Sequence, residues 1–153
     1  MRAILMLSAV PALAAPATAA KLPTMALANG HCDVLIIGGK DRTASCAGKL
    51  LNTIYDNGRV GFYFVTDGGA AITFSGDGSS QINPNPDAAV QPVDGIIFSY
   101  KGKTDRNAAV GTCRFTNPYK PPGTVECRAE TQGGLYEAKF TTDGRPPVIT
   151  RPK

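Results

Sequence analysis

The chain has 153 residues, of which 42% are apolar and 18% charged, with 17 Gly, 12 Pro and no Trp. That length fits one domain, the composition excludes wholesale disorder, and no uninterrupted apolar run reaches the roughly 18 residues of a bilayer-spanning helix. The formal charge is +4, from 16 basic and 12 acidic residues, with no Lys/Arg stripe of the kind that tracks a nucleic-acid backbone.

Residues 1–20 read as a secretory signal peptide. Arg2 supplies the positive start, Ala3 to Ala15 an apolar stretch too short for a membrane helix, and Ala17-Thr18-Ala19 the small residues of a cleavage site. Cleavage is expected after Ala19 or Ala20, delivering the rest to the periplasm or the medium. Residues 21–31 read as an extended linker, and residues 32–144 as the folded domain.

Export places the four cysteines in an oxidising compartment, where an even number reads as disulfides. Four cysteines allow three pairings. Thirteen residues separate Cys32 from Cys46, and thirteen separate Cys113 from Cys127. This equal spacing favours those two pairs, each facing across a hairpin. A metal site is disfavoured by the absence of CxxC and by a single histidine, His31. No cofactor is expected.

From Cys32 onward, apolar stretches of five to eight residues alternate with Gly, Asn, Asp and Pro, and no segment keeps a helical period. This is an all-β pattern. Strands are expected near 32–37, 43–55, 60–66, 70–75, 93–101, 109–116, 124–131 and 135–142. Gly38-Gly39 reads as a hairpin turn, since it lacks the spacing of a phosphate-binding loop. Asn57-Gly58 suits a two-residue turn that sets Tyr55 opposite Val60, Thr53 opposite Phe62 and Leu51 opposite Phe64. Gly133-Gly134 would set Cys127 opposite Phe140. It leaves Arg128 facing Lys139 and Glu130 facing Glu137, a conflict that a register slip would remove. Residues 76–92 read as one long irregular loop, Pro118–Gly123 as a hairpin connection, and 145–153 as a frayed, basic, Pro-rich tail. The architecture expected is an antiparallel meander of seven or eight strands closed into a small barrel, with a β-sandwich as the alternative.

Charge is uneven: residues 21–100 carry net −2 and residues 101–153 net +5. The basic half suits an anionic envelope component or an acidic protein, although its charges are interspersed. Nucleophilic catalysis lacks a base, because His31 sits in the linker. Glu126, Glu130 and Glu137 share a strand face with Arg128 and Lys139. They read as a surface charge lattice, and a concave pocket gathering two of them would instead point to a saccharide hydrolase. Asp77, Asn83, Asn85 and Asp87 put oxygens in the long loop, but without a calcium-loop pattern. Tyr119, flanked by Pro118 and Lys120, is the best candidate for an exposed recognition residue.

The expectation is therefore a non-enzymatic binding or interaction module of the bacterial envelope. Tyr119, Lys120, Asp77, Asn83 and Asn85 are its candidate recognition residues. An inhibitor of a secreted hydrolase is one version. Another is a barrel holding an apolar ligand, which would leave an open interior lined by Leu51, Phe62, Phe64, Phe98 and Phe140.

Overall fold

The computed structural model describes residues 21–152; the expected leader lies outside them. Eleven strands form: β1 (Thr24–Ile37), β2 (Lys40–Asp41), β3 (Cys46–Ile54), β4 (Arg59–Thr66), β5 (Ala71–Asp77), β6 (Ile82–Asn85), β7 (Ala88–Tyr100), β8 (Lys103–Thr116), β9 (Thr124–Thr131), β10 (Gly134–Thr142) and β11 (Val148–Thr150). Eight of them pair antiparallel in the order β10-β9-β8-β7-β5-β4-β3-β1, and β1 pairs back to β10. The sheet is thereby a closed barrel. Closure satisfies the backbone groups that an open sheet would leave along its two edges. β2, β6 and β11 are short additions on β1 and β7.

An eight-stranded barrel is just wide enough for its own side chains to fill. Alternate residues point inward, and those are Leu35, Leu50, Phe62, Phe64, Ile72, Phe74, Ile96, Ala138 and Phe140, all buried. Phe64 and Phe74 meet edge to face with ring centroids 5.7 Å apart. The open interior that a barrel built around an apolar ligand would show is not there: Phe62, Phe64 and Phe140 are packed in the core, Leu51 lies half-buried on the outward-facing row of β3, and Phe98 is 39% exposed.

The disulfides are Cys32–Cys46 and Cys113–Cys127, and no cysteine is free among the described residues. Cys113 and Cys127 are direct partners across the β8–β9 hairpin. Cys32 and Cys46 instead join β1 to β3, with β2 and a 3-10 turn (Thr43–Ser45) between them.

Both predicted hairpin registers shift. At Asn57-Gly58 the loop has three residues, and Ile54 pairs with Val60, Asn52 with Phe62 and Leu50 with Phe64. Gly58 donates to the Tyr55 carbonyl and alone takes a positive φ, +82°. A type I turn followed by a left-handed glycine spares Asn57 the strain that a two-residue turn would impose. This slip by one residue exchanges the faces: Leu50, not Leu51, enters the core. In the β9–β10 hairpin the turn lies one residue earlier, so the pairing slips by two and the faces are kept. Arg128 now opposes Glu137 and Lys139 opposes Glu126, which removes the like-charge conflict.

Three stretches expected to be irregular are paired. The linker is corrected to the first half of β1, where Thr24–Asn29 pair with Ile54–Lys49 of β3. Its sequence holds one β-branched residue, Thr24, and no aromatic one, and the partner on β3 supplies the order. The 76–92 loop contains β6 and the start of β7. Pro92 is tolerated inside β7 because it sits between the segment paired to β6 and the segment paired to β5. In the tail, β11 pairs with Met25–Leu27 of β1.

The apolar mouth and its loop rim

One end of the barrel is not filled. There an open well of about 220 Å³ is bounded by Ala28, Leu50, Phe62, Phe115, Val125 and Pro147. The wall is mostly carbon, with Asn52, Thr116, Thr124 and Thr142 as its polar residues, and β1 contributes to it only Ala26 and Ala28. The small side chains of the former linker therefore make the hollow. Phe62 and Phe115, 5.0 Å apart at a 54° tilt, form its floor and one side.

The Pro118–Gly123 loop contributes Pro118 and Gly123 to the well, and Asp87 in the β6–β7 turn ties that loop to its neighbour. Its carboxylate accepts from Asn117 Nδ2 at 3.1 Å and pairs with Lys120 Nζ at 2.7 Å. These contacts, Lys120 first, lower the Asp87 pKa below the ordinary carboxylate value. The Asp87 carbonyl also accepts from the Asn117 amide at 2.9 Å. The Pro118–Gly123 loop is anchored at its other end, where Gly123 N donates to Thr142 Oγ1 at 3.0 Å and Thr142 N donates to the Gly123 carbonyl at 2.8 Å.

A shallow groove adjoins the well and shares Phe115, Thr116 and Pro118 with it. Asn83, Gln81, Asp87 and Tyr119 line this groove. Of the predicted recognition residues, Tyr119 (59% exposed) and Asn83 thus come together along this groove, and Lys120 is held beside it by its ion pair with Asp87. Asp77 and Asn85 do not join them. Asp77 caps the 3-10 turn Gly78–Ser80 by accepting from Ser79 N and Oγ, and Asn85 accepts from the Asp87 amide inside its own turn. The well itself was not legible in the sequence. The only signal was the pair Ala26 and Ala28 in a segment whose one β-branched residue is Thr24 and which has no aromatic residue.

The three glutamates lie on the outer wall. Glu126 and Glu137 share a depression with Arg114, Arg128 and Lys139. Lys139 Nζ holds Glu126 at 2.9 Å, Arg128 holds Glu137 at 3.0 Å, and Arg128 reaches Glu130 at 3.9 Å. Cations outnumber carboxylates in the depression and occupy both of them. Among the described residues, five of the nine cationic side chains of the basic second half (Arg106, Lys120, Arg128, Lys139, Arg145) carry ion pairs. His31 is on β1, with its side chain 81% exposed and 3.8 Å from Asp33.

Among the described residues, no three His, Cys, Asp or Glu side chains gather closely enough to hold a metal ion. No helix there is long and apolar enough to cross a membrane. No protein-family model matches the chain, and neither a curated protein nor a solved structure matches it.

Proposed function

We propose that the protein is an exported, non-enzymatic binding module that takes a small apolar group of an envelope partner into the mouth of its barrel. The observation that carries this reading is the carbon-lined well in a barrel whose interior is otherwise filled. Ligand sites are concave and mostly apolar, with a few polar groups at the rim to fix orientation. Here Tyr119 and Asn83 line the groove that adjoins the well, with Lys120 paired to Asp87 of the same groove. An engineered apolar cavity of about 150 Å³ accepts benzene, so a well of about 220 Å³ suits an aromatic ring, a branched side chain or the end of a hydrocarbon chain. The remainder of the partner would lie along the adjoining polar groove. The leader-like first twenty residues and the two disulfides support a location outside the reducing cytosol.

The test is a titration of the protein with benzene and with N-acetyl-leucine amide, followed by amide and methyl NMR. Shifts should concentrate on Ala28, Val125 and Phe115. Ala28→Leu fills the well and should abolish them while the protein stays folded. Absence of saturable shifts at these residues would reject the reading. Mass spectrometry of the periplasmic fraction tests export: the intact 153-residue chain, rather than a form shortened by about 20 residues, would reject it.

A further inference from the structure

A second hollow lies on the outer wall of the barrel, over β3, β4 and β5. Thr53 pairs with Gly61, and Thr73 with Tyr63, and all four face outward. Gly61 leaves a gap in this row. A Cβ there would stand 2.9 Å from Tyr63 Cε2, 3.0 Å from Thr53 Oγ1 and 3.1 Å from Thr73 Cγ2. The Tyr63 ring therefore lies close over the glycine, and its hydroxyl hydrogen-bonds to that of Tyr55 at 3.1 Å. That bond, with partial burial, pushes the Tyr55 phenol up to about 12, so it stays protonated at any ordinary pH. The groove beside the two rings has a volume of about 180 Å³, and Thr73, Ser75, Ile97 and Arg106 complete its walls.

The charges in this groove cancel locally. Arg59 forms two hydrogen bonds of 2.6 Å to Asp94 and one of 2.7 Å to Ser75 Oγ. Arg106 donates to the same carboxylate at 3.1 Å, and Asp77 adds a second negative charge near Arg59. Both guanidiniums that line the groove are thus already paired with the Asp94 carboxylate. Among the described residues three buried side-chain atoms lack a hydrogen-bond partner, Thr53 Oγ1, Thr73 Oγ1 and Gln91 Oε1, and of these residues Thr73, 1% exposed, lines the groove. Buried hydroxyls are ordinarily satisfied, so each orphan calls for an explanation.

We propose that this groove binds a neutral saccharide unit. A sugar ring offers a C–H face to an aromatic ring and hydroxyls that donate and accept at once. Here the phenol rings meet the first need. The Thr73 hydroxyl, the half-exposed Arg106 guanidinium and the Asn57 side chain at the groove's end meet the second. The balanced charge selects an uncharged ligand over a carboxylate or phosphate.

The experiment titrates the full protein with methyl β-D-glucopyranoside, N,N′-diacetylchitobiose and sodium acetate. It reads tyrosine fluorescence, which no Trp masks, and the amide shifts of Gly61 and Thr73. At least one of the two sugars should give saturable changes there, and acetate none. Thr73→Val keeps the side-chain shape and removes the orphan hydroxyl. It should leave the melting temperature equal or higher while weakening sugar binding about tenfold. Tyr55→Phe should weaken it as well, and Ala28→Leu in the mouth should leave it unchanged. The proposal fails if neither sugar shifts these amides, if acetate shifts them equally, or if Thr73→Val binds sugar as the parent does.

Discussion

Cys113 and Cys127 face each other across neighbouring strands with their Cα atoms 4.0 Å apart. Each disulfide closes a short loop, 14 residues in sequence separation. In the chain-entropy description, cutting such a loop costs about 3 kcal/mol. The double substitution Cys113→Ala/Cys127→Ala should therefore lower the urea midpoint without changing the native spectrum. An unchanged midpoint would mean that the crosslink constrains nothing. Asp94 makes a second residue-scale prediction. Its pKa is lowered, chiefly by the hydrogen bonds from Arg59 and then by the positive charges of Arg59 and Arg106. A carboxylate whose folded pKa lies below its unfolded one adds stability above the unfolded value, and this stability is lost as pH falls through the folded value. The melting temperature should therefore fall as pH drops below about 4, and Asp94→Asn should flatten that part of the profile. Because Asp94 is half-exposed, salt should weaken the effect.

At the scale of strands and turns, the β9–β10 hairpin shows what sets register here. Both candidate registers put Val125, Cys127, Ala129, Ala138 and Phe140 on one face, so burial cannot choose between them. Charge can, because the observed pairing sets Arg128 opposite Glu137 and Glu126 opposite Lys139. Arg128→Glu should destabilise the hairpin by about 0.5–1 kcal/mol, and adding Glu137→Arg should restore most of it. A thermal-melt double-mutant cycle measures the coupling, and a coupling near zero would show that the turn alone fixes the register. The same hairpin shows how far the sequence is readable. Strand positions followed from alternation and from Gly-rich punctuation, and both cysteine pairs followed from spacing. The fine register of the 55–59 turn did not, since Asn-Gly serves a two-residue loop as well as a glycine that ends a three-residue one. β6 and the N-terminal halves of β1 and β7 did not either. Their Ala, Asn and Pro residues carry no strand preference and become ordered only against a neighbour far along the chain. The mouth was hidden for the same reason, since it consists of side chains that are absent from β1.

For the molecule as a whole, one filled interior holds all eight barrel strands. Phe140 is fully buried within it, on the strand that meets β1. Phe140→Ala should cost about 3–5 kcal/mol, measured by denaturant unfolding. A cost below about 1 kcal/mol would mean that the interior collapses to refill the space. The β1–β10 seam joins the two ends of the domain. Thr141 donates to Asp33 at 2.7 Å across a separation of 108 residues. Nearly every other barrel pairing is with a strand close by in sequence. Until β10 is available, the barrel cannot close, because β10 is the strand that pairs back to β1. Ring formation must therefore wait until β10 has been made, and a long-range contact of this kind is intrinsically slow to form. A polypeptide built this way remains threadable for longer than one that folds from its front end.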